Sequence, residues 1–153
     1  MQLSTNENYA LAYANMGLAV HPIKAGGKTP LVSQWQDKAT SDSKVIARWW
    51  SKWPDANIAI HAGKSGLIIL DIDPRNGGFE SLDILMEELG ETWLSRYQVE
   101  SGGGGLHYYY SAIGQKDLRG LNLGRGIDLI RGNKYVIAPP SIHPSGGVYK
   151  WLP

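Results

Sequence analysis

The sequence predicts a mixed α/β domain, α+β in organisation, with an antiparallel or mixed sheet in preference to a doubly wound parallel one. Two observations carry this. Helical segments with recognisable caps are interspersed with short apolar strands, and 19 glycines punctuate the joins between them. A third observation bounds it: 153 residues without a repeat or a long low-complexity segment fit one domain, residues 1–153.

Taken in order, Ser4-Thr5-Asn6-Glu7 is a capping-box pattern, so a helix runs on through Met16 and stops at Gly17. Leu18 to Ile23 reads as a strand. Thr40-Ser41-Asp42 caps a second helix that reaches Trp53 and is ended by Pro54. Asn57 to His61 and Leu67 to Asp73 read as two strands joined by a Gly/Ser turn. Phe79 to Leu89 is an amphipathic helix with Leu82, Leu85, Met86 and Leu89 on one side, closed by Gly90. Leu106 to Ser111, Ile127 to Ile130, Tyr135 to Ala138 and Val148 to Trp151 are the remaining strands. Lys24 to Thr40 is long and irregular, as functional loops often are.

Composition removes several function classes. The chain has no cysteine, which excludes disulfides, thiolate metal sites and cysteine nucleophiles and points to a reducing cytoplasm. No apolar run approaches the ~18 residues of a membrane span, and the first residues lack the pattern of a signal peptide. Net charge is +1, which leaves nucleic acid open, because a local basic patch is enough to bind it.

The chemistry begins in "GLIILDIDPRNGG", Gly66 to Gly78. On a strand, alternate side chains share a face, so Asp71 and Asp73 point the same way while Ile72 points into the opposite layer. Two such carboxylates repel unless a positive charge lies between them, and a hard cation such as Mg²⁺ or Mn²⁺ is the usual remedy. The same pattern also describes a strand end opening into solvent. Asp128, in "GRGIDLIRG", would bring a third carboxylate to the same rim if its strand neighbours Leu67–Asp73; three such acids form a two-metal phosphoryl or nucleotidyl transfer site. Otherwise it is a strand acid paired with Arg125 or Arg131.

"SGGGGLHYYY", Ser101 to Tyr110, offers exposed N–H groups as a phosphate cradle, with His107 leading into a strand. A hairpin turn with a structural histidine is the alternative. "AGGKT" and "HAGKS" are not phosphate-binding loops, since the required first glycine falls at Pro22 and Ile58.

The order "LDID", "SGGGGLH", "GID" resembles the three motifs of the archaeo-eukaryotic primase superfamily: two acids flanking a hydrophobic residue, a small residue two before a histidine, and a hydrophobic residue before an acid. The closer resemblance is to the bifunctional DNA primase/polymerase N-terminal domain of phages, plasmids and mobile elements. "HPIKAGGKTPLVSQWQDKAT", "NIAIHAGKSGLIILDIDPRNGG" and "YVIAPPSIHPSGGVYKW" extend it over nearly the whole chain. The resemblance implies an RRM-like catalytic sheet with an N-terminal α/β unit, two divalent metals (Mg²⁺ or Mn²⁺) held by Asp71, Asp73 and Asp128, and triphosphate contact by Gly105 and His107. Arg75 and Lys28 match basic positions assigned to phosphate, whereas Ser141 and His143 match a recurrent segment without an assigned role. It implies dNTP or NTP, a DNA template and primer, and a replicative helicase on the same or another chain as partners. The chain stops at Pro153, where such proteins usually continue into a helical domain, so template-dependent extension is expected ahead of de novo priming. Template contact is expected on Lys24 to Lys38. Two rival readings are a rolling-circle-type endonuclease, for which "LHYYY" supplies tyrosines near a histidine, and a non-catalytic RRM-like nucleic-acid-binding module.

Overall fold

The computed structural model describes residues 2–113 and 123–153. Two open antiparallel sheets pack against each other, an α+β fold. The N-terminal unit runs α1 (Thr5–Asn15), β1 (Val20–Ile23), α2 (Trp35–Lys38), α3 (Ser43–Lys52), β2 (Asn57–His61). The chain continues through β3 (Leu67–Ile72), α4 (Gly78–Leu89), β4 (Gln98–Glu100), β5 (Leu106–Ser111), β6 (Ile127–Ile130), β7 (Tyr135–Ala138) and β8 (Lys150–Trp151). One sheet has the order β1-β2-β7 and the other β6-β3-β5-β4-β8. In the larger sheet, the first strand lies centrally between the last and third strands of a β-α-β-β-β run, as the RRM-like expectation requires.

Sequence chemistry accounts for the boundaries. Ser4 Oγ accepts from Glu7 N at 3.1 Å and starts α1. β1 begins at Val20 rather than Leu18, because the N–H groups of Gly17 and Leu18 still serve the carbonyls of Ala14 and Tyr13. Asp42 caps α3, its Oδ1 accepting from Lys44 N at 2.9 Å. β2 and β3 follow one tight turn, yet they enter different sheets. β4 carries a single apolar residue within three, too short a pattern to read, although its Val99 is fully buried. Val148 bridges Ile142 instead of joining β8.

Alternation in β3 divides the core. Ile68, Leu70 and Ile72 pack with Tyr108 and Tyr110 against Leu82 and Leu85 of α4. Leu89 stays at the exposed margin of that helix, outside the apolar face expected for it. Ile69 points the other way, into the cluster formed by Ile46 and Trp50 of α3 with Ile58, Ile60 and Val136 of the smaller sheet. Asp71 shares the side of Ile69. It therefore faces the gap between the sheets beyond the point where apolar packing ends. Among the described residues, no helix is long and apolar enough to cross a membrane.

Candidate active site

Register, not sequence proximity, assembles the site. Asp71 on β3 pairs with His107 on β5 and with Asp128 on β6. The three side chains stand abreast across three strands, and directly opposed Cβ atoms on neighbouring strands are about 5 Å apart. His107 Nε2 lies 3.3 Å from Asp71 Oδ1, while its Nδ1 is buried without a partner. Neither Arg125 nor Arg131 forms an ion pair with Asp128 among the described residues. Two like charges directly opposite each other destabilise a sheet, a repulsion that a cation between them would relieve.

Asp73 lines the same cleft from a different position. β3 ends at Ile72, and Asp73 caps the 3-10 turn that follows, accepting from Arg75 N at 2.9 Å and Asn76 Nδ2 at 2.6 Å. These hydrogen bonds, the one from Arg75 N first, hold its carboxyl below the usual range. Arg75 Nε lies 3.6 Å from the carboxylate, and the rest of that side chain is exposed.

The glycine run is a tight turn, with Gly103 exposed at the cleft. Gly104 N donates to Ser101 O and Gly105 N to Ser101 Oγ, so those two N–H groups are used internally. Gly105 is small because a Cβ there would stand 2.5 Å from Ile72 O. Gly102 meets Gly147 backbone to backbone, and a Cβ at Gly103 would stand 2.8 Å from His143 Nε2.

The C-terminal hairpin thus forms the second wall. Ser141, fully buried, accepts from Ile58 N at 2.8 Å and anchors the hairpin to β2. Asn57 holds both backbone groups of Ile142 and also donates to Gly27 O at 3.0 Å. Tyr135 Oη donates to Lys28 O. The loops that carry Lys28 and His143 are therefore tied to one buried asparagine. Ser145 N donates to His143 Nδ1 at 3.0 Å, while Ser145 Oγ is oriented to donate to Gly102 O at 3.0 Å. Neutral His143 therefore carries its proton on Nε2, and partial burial with the charges of Lys28 and Arg75 lowers its pKa. Tyr149 completes the wall; burial, then the charge of Asp71, pushes its phenol up to about 12.

Lys28, Asp71, Asp73, Arg75, Gly105, His107, Asp128, His143 and Tyr149 all line one cleft of about 110 Å³. A second chamber of about 250 Å³ shares Lys28, Asp71, His107 and Tyr149 and is walled by Ile130, Val136 and Ile137. Asn57 and Tyr149 were missed as site residues in the sequence; the only signal was their place in segments quoted for the family resemblance. Trp35, expected near template, is stacked on His21 with ring centroids 5.2 Å apart. Lys64 of "HAGKS" donates to the carbonyls of Asp37 and Ala39, a structural use.

Among the described residues, no three His, Asp or Glu side chains already converge as a metal-holding group. The donor chemistry still fits a hard divalent cation: two opposed carboxylates lack a cation of the chain between them, and a third borders the same cleft. Tyr109, the partner position of the endonuclease reading, is buried with its hydroxyl unpartnered and its pKa raised well above the ordinary value by burial. It is no accessible nucleophile.

No curated protein matches the chain. The family model described as "Bifunctional DNA primase/polymerase, N-terminal" matches residues 10–153. That span contains both sheets, the acid row and the hairpin over it, so the chain belongs to the bifunctional DNA primase/polymerase family and is a nucleotidyltransferase of the primase and polymerase type.

Proposed function

We propose that this domain extends a primer on a DNA template by metal-dependent transfer of (deoxy)nucleotides, in the replication of a phage, plasmid or mobile element. The observation that carries the chemistry is the row Asp128–Asp71–His107, set by strand register. Asp71 and Asp128, with Asp73 at the rim, are the residues that would hold Mg²⁺ or Mn²⁺. When bound, the metal supplies charge neutralisation at the triphosphate and acidifies the primer hydroxyl.

The chain's own groups do the rest. His107 orients the Asp71 carboxylate through Nε2. Lys28, Arg75 and the Nε2–H of His143 present three donors to phosphate oxygens around the polar cleft. Tyr149 keeps its proton at neutral pH and stays a neutral donor beside Asp71. The apolar wall of Ile130, Val136 and Ile137 receives sugar and base and excludes water from the reacting end. Rate enhancement then comes from positioning and fixed charge.

Primer extension with Mg²⁺ or Mn²⁺ tests this. Asp71→Asn and Asp128→Asn are expected to abolish nucleotide incorporation with the fold retained by circular dichroism; full activity in either variant overturns the site. His107→Ala is expected to raise nucleotide KM and lower kcat.

A further inference from the structure

The helix α3 reads SKVIARWWSK: three cations and no acid in ten residues. Its buried side is Ile46 and Trp50. Its exposed face carries Lys44, Arg48 and Lys52, spaced four apart. At 1.5 Å rise per residue the three stand about 6 Å apart along the axis, comparable with successive phosphates of a single strand. None forms an ion pair or a hydrogen bond through its side chain among the described residues; Lys52 lies 4.7 Å over the Trp53 ring. The placement of Lys44 and Arg48 is locally unfavourable, since Lys44 sits in the first turn, against the helix dipole, and the like charges at i,i+4 repel, whereas Lys52 in the last turn suits the dipole.

In sequence the stripe ends just before β2. Lys52 and Trp53 end α3 five and four residues before Asn57, whose side chain fixes the Lys28 and His143 loops. Trp49 and Trp53 are half-buried and pack against the core beneath the cations, with Lys52 over one face of Trp53, so the stripe presents charge on a rigid support. On the opposite helix, α4, Glu80, Asp83, Glu87 and Glu88 are all exposed and no cation accompanies them.

We infer that the exposed face of α3, Lys44, Arg48 and Lys52, is a docking surface for the phosphate backbone of single-stranded DNA. The inference rests on the reading that the chain acts on DNA. Charge complementarity selects α3 and excludes α4.

Fluorescence anisotropy with a labelled single-stranded oligonucleotide, titrated with NaCl, tests it. For Lys44→Gln/Arg48→Gln/Lys52→Gln, Kd should rise on the order of 10-fold or more near 0.1 M salt, and the slope of log Kd against log salt should drop by about 2 for three lost phosphate contacts. The KM for primer-template in the extension assay should rise in step with Kd. The matched control Glu80→Gln/Asp83→Asn/Glu87→Gln should bind at least as tightly as the wild type. An unchanged Kd and slope in the α3 variant overturn the surface. A loss confined to duplex DNA overturns the single-strand assignment. A wild-type domain that binds no DNA in this assay overturns the DNA reading itself along with the surface.

Discussion

The helices α3 and α4 make a controlled pair. They have 10 and 12 residues, and each buries two large side chains, Ile46 and Trp50 in one and Leu82 and Leu85 in the other. Their outward faces carry opposite charge: three cations without an acid on α3, four acids without a cation on α4. Folding constrains only the buried faces, so the outward charge is free to serve what lies outside. A net charge of +1 conceals this division. Phosphate would be drawn to the three-stranded half and turned away from the back of the five-stranded half, where α4 lies.

The largest expected effect separates the halves by chemistry. Asp71→Asn or Asp128→Asn should lower incorporation by about 1000-fold or more, while single-strand Kd stays within about twofold. Loss of DNA binding in step with activity would break the division. The same variants carry a second signature. Relieving a directly opposed carboxylate pair should raise stability by about 0.5 kcal/mol when metal is chelated, read as a higher Tm in EDTA.

A pH effect belongs to the three-stranded half. His21 is fully buried against Trp35 and Tyr135, with neither ring nitrogen bonded. Burial, helped by His61 and Lys64, pushes its pKa down to about 4. The folded value lies below the unfolded one of about 6.5, so between them the unfolded chain binds more protons. The stabilisation is complete above about pH 6.5 and is lost as pH falls toward 4, up to about 3 kcal/mol. Urea titrations across that range should show the decline, and His21→Phe should flatten it. An unaltered acid limb would place the sensitivity in other groups.

Asn57 joins the halves. Replacing it with Ala removes the two donors to Gly27 O and Ile142 O and the acceptor for Ile142 N. Stability should fall by about 2–3 kcal/mol, and nucleotide KM should rise about 10-fold as Lys28 and His143 lose their common support. An unchanged KM in a destabilised variant would make Asn57 structural only.

How much of this was legible varies with the range of the interaction that fixes it. Helix caps at Ser4 and Asp42, the period-two face of β3 and the inward Ile72 follow from neighbours within four residues, and the sequence shows them. The row of Asp71, His107 and Asp128 depends on the pairing of three strands across 57 residues, so each motif alone leaves its alternative open. The glycine run is legible only in part for the same reason: its smallness answers to Ile72, His143 and Gly147, which local reading cannot bring near. Asp73 lies in the same motif as Asp71 but is turned to its own cap, since the strand ends one residue earlier than alternation alone suggests.

The smallest expected effect is the most diagnostic of why α3 looks as it does. Lys44–Arg48 and Arg48–Lys52 are both like-charge pairs at i,i+4, each costing about 0.2–0.5 kcal/mol, and Lys44 opposes the helix dipole. Gln keeps nearly the same helix propensity, so Lys44→Gln/Arg48→Gln, which removes both pairs and leaves Lys52 on the Trp53 ring, isolates the repulsion. It should unfold at a Tm about 1–2 °C above wild type, from a gain of about 0.5 kcal/mol, with the difference shrinking in 1 M NaCl as screening removes the repulsion. A variant that is more stable and yet binds single strands more weakly would mean that the stripe is kept against the interest of the fold. A lower Tm would mean that the cations stabilise the helix through contacts of their own, and the contrast between α3 and α4 would then be one of packing, not of partner.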